Sequence, residues 1–391
     1  MWAYGINKES AVLAMKVPIQ ERVPSDHVIK LDVPIPEISE EEVLVKVKCS
    51  ALNYNSIWSS LCHPISPFQL ISGHVARNKH ENSHLQDYAI FGSDAAGTIE
   101  RVGANVKNWK AGDDVIIHCN AVDTGDPIIQ SDGMLSESQS IWGYETNFGS
   151  FAEFTKVKSS QLIKKPADIS WQDAASFCLT LSTAYRMLIS KNGAMIRPGE
   201  TCLIWGAAGG LGLFAIQLAK LAGAKVIAVV SSDEKISLCE SYGADFVINR
   251  KEGFPSAFID EDGNPDYLAW RKVSLKLKSI GAPAIDVVFE HIGKETLGLS
   301  TYLLKRGGRV VTCAATSGFL ATIDLRFLWM QLKSIIGSHF ANYDEANAAA
   351  KLIFERKVIP TLHSQNKIFL LPKMMDEMYK GKTYGKIVFN H

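Results

Sequence analysis

The stretch Thr201–Val230, TCLIWGAAGGLGLFAIQLAKLAGAKVIAVV, limits what this chain can fold into more than any other. It opens on an apolar run, Cys202-Leu-Ile-Trp205, of the length and composition of a buried parallel strand. A turn with Gly206, Gly209, Gly210 and Gly212 follows, then apolar residues at helical spacing (Phe214, Ile216, Leu218, Leu221). Val226–Val230 supplies a second strand, completing a strand–turn–helix–strand unit. Glycines let the backbone approach a pyrophosphate, and a helix N-terminus offers it free N–H groups. The run Gly206, Ala207, Ala208, Gly209, Gly210, Leu211, Gly212 is therefore the candidate cradle. Its form, Ala207-x-Gly209-x-x-Gly212, lacks the first glycine of the usual fingerprint, so the flanking strand and helix carry the assignment. A membrane span competes, because Cys202 to Ala219 is 18 residues without a charge. Four glycines in seven residues, with Lys220 and Lys225 close behind, disfavour it.

Beyond this unit, Phe246–Ile248, Ile285–Phe289, Arg309–Cys313 and Ser334–His339 read as strands between helical segments, which predicts a doubly wound parallel sheet. Ser231 and Glu234 have the spacing of a capping box, and the charged stretch Lys251–Lys278 reads as a surface insertion. Residues 1–165 differ in texture. Val43–Val47 alternates with one wet face, Thr98–Val102 and Asp114–His118 are similar short strands, and Gly/Asp turns separate them. They predict a partly open β-barrel. Residues 1–174 with 345–391 form the barrel domain, and 175–344 form the dinucleotide domain. Two segments, Leu61–Ala89 and Cys119–Phe154, are longer than a barrel needs. The first carries His63, His74, His80 and His84, whose polar setting reads as a solvated loop rather than a metal site.

Lys+Arg and Asp+Glu are both 41, so no charge footprint points to nucleic acid or an anionic membrane. Seven cysteines, an odd number with no C-x-x-C pair, argue against a disulfide framework and against a cysteine metal site. The start, MWAYGINKES, has no secretory pattern, which predicts a cytoplasmic protein.

The barrel–dinucleotide–tail order, with the turns Val102-Gly-Ala-Asn-Val106 and Ala111-Gly-Asp-Asp-Val115, resembles the medium-chain dehydrogenase/reductase superfamily. That resemblance implies a GroES-like catalytic domain followed by a Rossmann domain. Zinc-dependent members carry Gly-His-Glu where this chain has Gly92-Ser-Asp, and serine makes no strong zinc bond. The four-cysteine structural-zinc lobe is also absent. These two departures imply a zinc-free reductase adding hydride to an activated C=C bond. The second strand ends Val230-Ser231-Ser232, with Lys235 one turn on; hydroxyls and a lysine suit a 2′-phosphate, which predicts NADPH. Asp233 is accounted for as a first-turn helix acid.

Further motifs resemble the crotonyl-CoA carboxylase/reductase family: Leu52-Asn-Tyr-Asn-Ser-Ile-Trp58, Trp142-Gly-Tyr-Glu-Thr-Asn-Phe-Gly149, Ser182-Thr-Ala-Tyr-Arg186, Val288-Phe-Glu-His291 and Ile335-Ile-Gly-Ser-His-Phe-Ala-Asn-Tyr343. Members reduce an α,β-unsaturated acyl-CoA and trap CO2, giving an alkylmalonyl-CoA. The resemblance places the CO2 pocket on Asn55, Glu145, His339 and the backbone of Tyr144, and adds Thr183 and His291 to the cofactor residues. Asn55 and His339 would donate to CO2; Glu145 would hold a water and orient the imidazole. The family usually has Phe at Tyr144, so a hydroxyl is added beside the pocket. Enoyl-CoA, CO2 and a second copy of the chain are the implied partners. Lys305, Arg306, Arg326 and Lys333 are candidates for the CoA phosphates. Two other readings stay open: an enoyl-thioester reductase ending in protonation, and a quinone-reductase or crystallin-like NADPH-binding protein.

Overall fold

The computed structural model describes residues 1–391 in two units: Met1–Leu179 with Asn342–Phe354 and Pro360–His391, and Thr180–Ala341 with Glu355–Ile359.

The first unit is built on strand Glu42–Ala51, where exposed Lys46 and Lys48 alternate with buried Val45, Val47 and Cys49. Two register shifts, between Leu44 and Val45 and between Val47 and Cys49, bend this strand. It pairs antiparallel with Ala95–Val102, Phe154–Lys158 and Lys386–Asn390. Asp114–Ile117 and Leu162–Lys164 continue the sheet at one end, and Leu362–Lys367 at the other. The result is a curled sheet of GroES-like form. A smaller sheet, Ile29–Asp32, Trp2–Asn7 and Tyr88–Ile90, shares a core with it in which Tyr4, Ile57, Phe91, Phe151, Ile387 and Phe389 are buried.

The second unit holds six parallel strands in the order Phe246–Asn249, Lys225–Val230, Thr201–Ile204, Ile285–Glu290, Leu304–Thr312, Ser334–Gly337. This 3-2-1-4-5-6 sequence is the doubly wound dinucleotide topology, whose switch point lies between the first and fourth strands. Residues 202–204 and 226–230 of adjacent strands are apolar throughout because helices cover both faces. No helix is long and apolar enough to cross a membrane.

Two local expectations are corrected. The stretch Lys251–Lys278 is not a surface insertion. Helix Tyr267–Ser279 buries Trp270, Val273 and Leu277, and Phe254 and Phe258 pack with Trp205 in the same cluster. Its charges occupy the outer face of an amphipathic helix. Nor is there a capping box at Ser231. Helix Glu234–Ser241 follows Asp233, which already has helical dihedrals and makes no side-chain cap.

Candidate active site

The cofactor residues named from sequence all lie in the second unit. Gly206 has φ +55°, and a Cβ there would stand 2.7 Å from the His291 ring. His291 Nε2 meets the Trp205 carbonyl at 2.9 Å, so the imidazole donates to the backbone and underpins the turn. A Cβ on Gly212 would come within 2.6 Å of the Ala207 backbone. Strand end and helix start therefore touch, and only glycine fits between them. Helix Gly210–Leu221 begins at Gly209 without a side-chain cap, leaving its first N–H groups to a ligand. Thr183 is buried in helix Cys178–Leu188.

The edge of the second strand suits a 2′-phosphate. Lys235 Nζ lies 3.4 Å from Ser231 Oγ, while Asp233 accepts from Asn249 Nδ2 at 2.9 Å and is thereby occupied. Burial, then the charge of Lys251, lower the Lys235 pKa from its ordinary value. Lys251 was missed from sequence because it stands on the next strand–helix connection; Asn249-Arg-Lys251 after the third strand was the available signal. Hydroxyls, two ammonium groups and an acid already engaged by Asn249 fit NADPH, and the glycine contacts fit its pyrophosphate.

In the first unit, Asn55 sits at the second position of helix Tyr54–Ser60, half-buried, with Nδ2 donating to Ser93 Oγ at 2.9 Å. Asp94, fully buried, accepts from Asn53 Nδ2 (2.9 Å) and Lys386 Nζ (2.8 Å) through Oδ2, and from the Leu179 N–H (2.8 Å) through Oδ1. Lys386 also donates to Asn53 Oδ1. This triangle braces both neighbours of the Asn55–Ser93 contact. Glu145 accepts the Ile141 N–H at 2.8 Å through Oε2, which anchors it to its own turn. Burial, and then the Glu145 charge, push the Tyr144 hydroxyl up to about 12, so it stays a neutral donor near pH 7. His339 belongs to the second unit, exposed just after strand Ser334–Gly337. The first unit thus brings Asn55 to Ser93 and places Tyr144 beside Glu145.

The histidine-rich segment is not a solvated loop. His74 and His84 are buried, and with Glu81 they place three ligand-type atoms within 4.8 Å of one another. Burial would raise the Glu81 carboxyl, but hydrogen bonds from His74 and His84 and the charge of Lys158 hold it well below the usual range. An ionised carboxylate only accepts, so His74 Nε2, 2.7 Å from it, carries a hydrogen. His84 Nδ1 accepts the Asn147 N–H at 3.2 Å, so its hydrogen also sits on Nε2, toward Glu81. Both imidazoles are donors around one anion, and the three side chains together form a group that could hold a metal ion.

The four basic residues considered for CoA phosphates each have a partner within the second unit. Lys305 pairs with Asp286, Arg306 with the Met330 carbonyl and Arg326 with Asp324. Lys333 is buried against the Thr301 and Tyr302 carbonyls, and burial lowers its pKa to about 8.

Residues 39–167 match the alcohol dehydrogenase GroES-like domain, and residues 210–355 match the zinc-binding dehydrogenase family. The chain is 42% identical to a crotonyl-CoA reductase of Streptomyces avermitilis over 98% of its own length and 86% of that protein's. It is also 42% identical to the crotonyl-CoA carboxylase/reductase of Cereibacter sphaeroides, over 90% of this chain and 80% of that one. A solved 2-octenoyl-CoA carboxylase reductase in complex with NADP and 2-octenoyl-CoA superposes with a TM-score of 0.95 at 38% identity, covering 100% of this chain and 87% of that one. With the barrel, the doubly wound sheet and the glycine cradle in place, these likenesses establish that the chain belongs to the crotonyl-CoA carboxylase/reductase family of medium-chain dehydrogenase/reductases.

Proposed function

We infer that this protein is an NADPH-dependent 2-enoyl-CoA carboxylase/reductase. The observation that carries this reading is the likeness, over essentially the whole chain, to relatives named for that chemistry, one of them solved with NADP and an enoyl-CoA. Bound NADPH supplies the hydride that adds to Cβ of the enoyl thioester. The electron pair of the C=C bond then resides in an enolate, and Cα uses it to form a bond to the carbon of CO2. The product is an alkylmalonyl-CoA, with the new carboxylate carrying the negative charge. A proton captured at Cα instead gives the saturated acyl-CoA, so the outcome depends on what lies beside Cα.

The residues assigned to that decision are Asn55, Tyr144, Glu145 and His339. Asn55 keeps one amide hydrogen on Ser93 and has a second for a CO2 oxygen. Glu145, held by Oε2 to the backbone, has Oε1 for a water. His339 is assigned, by the family resemblance, as a further donor to CO2. Neutral donors stabilise developing carboxylate charge without offering a strong acid to the enolate. The Tyr144 hydroxyl, held neutral, is the weakly acidic competitor that this chain adds.

The enzyme acts as a homo-oligomer, pairing through strand Ser334–Gly337. That edge of the sheet has no partner strand, and Leu325, Trp329, Met330 and Leu332 are exposed beside it. It works in the cytoplasm, on a substrate whose acyl length its pocket selects.

The test is to assay NADPH oxidation with crotonyl-CoA and labelled bicarbonate and to identify products by mass spectrometry. Labelled ethylmalonyl-CoA is the expected product. Butyryl-CoA alone at saturating CO2 would make the enzyme a simple reductase, and no oxidation would leave an NADPH-binding protein. His339→Asn should shift product toward butyryl-CoA; an unchanged ratio removes His339 from the pocket.

A further inference from the structure

Ser93 stands where zinc-dependent members of the superfamily have a metal-binding histidine, and the structure gives this serine a different task. Its side chain is fully buried, and its Oγ accepts Nδ2 of Asn55 at 2.9 Å. The backbone on either side is held in place. Gly92 has φ +104°, and a Cβ there would stand 2.2 Å from Ser150 Oγ. Asp94 is tied by Asn53, Lys386 and the Leu179 N–H. Asn53 directly precedes the helix that carries Asn55, so the same triangle fixes both ends of the Asn55–Ser93 hydrogen bond.

A carboxamide at the second position of a helix is otherwise free to turn, since the torsion of its planar group is soft. With one hydrogen on Ser93 Oγ, the other projects along a set direction. Ser56 Oγ lies 3.5 Å from Asn55 Oδ1, so a hydroxyl stands at each end of the amide and the plane of the group is held from both sides. A turned amide would present its carbonyl oxygen to a CO2 oxygen, which is repulsive.

We propose that Ser93 is a positioning residue for carboxylation: it holds the Asn55 carboxamide so that the second Nδ2 hydrogen faces CO2. This rests on the reading of Asn55 as a CO2 donor. Ser93 acts through Asn55, so its contribution should vanish when Asn55 is gone.

The experiment uses full-length enzyme with crotonyl-CoA, NADPH and labelled bicarbonate at subsaturating CO2, and measures the ratio of ethylmalonyl-CoA to butyryl-CoA. It compares wild type, Ser93→Ala, Ser93→Cys, Asn55→Ala and the Ser93→Ala/Asn55→Ala double variant. Ser93→Ala should lower the ratio about three- to tenfold, the scale of one lost hydrogen bond, and by more than any fall in total NADPH oxidation. Ser93→Cys, which keeps the volume with a weaker acceptor, should move the ratio the same way if the alanine variant folds poorly. Adding Ser93→Ala to Asn55→Ala should change the ratio no further. A wild-type ratio in both Ser93 variants, with Asn55→Ala lowered, overturns the role of Ser93 alone. An equal drop in the Asn55→Ala background overturns it too, since Ser93 would then act independently. A wild-type ratio in Asn55→Ala overturns the reading of Asn55, and Ser93's role with it.

Discussion

Lys386 Nζ lies 2.8 Å from Asp94 Oδ2, with both side chains almost completely excluded from solvent. A buried ion pair of this kind is weak evidence for stability in itself, because removing both charges from water costs much of what their attraction returns. Its importance lies in what it joins. Asp94 adjoins Ser93, Lys386 comes from the last strand, and Asn53 closes the triangle at the start of the Asn55 helix.

Breaking the pair from one side leaves a buried charge without its partner. Lys386→Met is expected to destabilise the protein by about 3–5 kcal/mol, read as a lower urea midpoint by circular dichroism. Adding Asp94→Asn removes the stranded charge and should recover part of that loss. A double variant less stable than the single one would contradict this account.

Cofactor preference should follow the edge of the second strand. Lys235→Ala is expected to raise KM for NADPH about tenfold or more, the scale of one charged hydrogen bond, with KM for NADH nearly unmoved. Lys251→Ala should act in the same sense and less strongly. Equal effects on both cofactors would show that neither lysine reads the 2′-phosphate.

Gly212→Ala puts a methyl group 2.6 Å from the backbone of Ala207, where no flexible side chain can yield. The helix must back away from the strand end, and the pyrophosphate cradle widens with it. Expected are a stability loss of about 1–3 kcal/mol and NADPH binding at least tenfold weaker by fluorescence titration. Wild-type affinity would show that the cradle tolerates a wider turn.

Acid should destabilise the first unit through its buried histidines. Burial lowers the His118 pKa to about 3, against roughly 6.5 in an unfolded chain. Between those values the unfolded state binds the proton and the folded state does not. His118 therefore contributes its full stability above pH 6.5 and loses it progressively as pH falls toward 3, by up to about 1.4 kcal/mol per pH unit. His84, also lowered chiefly by burial, adds in the same direction. His118→Gln should reduce the drop in Tm between pH 7 and pH 5; an unchanged drop would assign the acid sensitivity elsewhere.

The parts legible in sequence were those encoded by neighbours in the chain. Apolar runs separated by helical spacing disclosed the parallel sheet, and Gly206–Gly212 disclosed its ligand. Trp270, Val273 and Leu277 also recur at helical spacing, but lysines and acids around them concealed a core-facing helix. The Glu81 network was illegible for another reason: its donors come from His74, His84 and Lys158, and each alone reads as a polar surface residue. Lys386 and Asp94 stand 292 residues apart, so no local pattern links them. The role of Ser93 was half visible, since the missing histidine was evident while its contact with Asn55 was not.

Strand Lys386–Asn390 has a consequence for how the chain is made. It pairs with Glu42–Ala51 and supplies Ile387 and Phe389 to the core of the first unit. A ribosome delivers the doubly wound sheet, complete by Gly337, well before that strand emerges. The unit begun first is therefore finished last, and must wait with an open seam while its successor folds. A chain terminated shortly before residue 386 should retain the dinucleotide sheet yet lack the barrel's closing strand, so limited proteolysis of such a fragment should spare Thr180–Ala341 and digest Met1–Leu179.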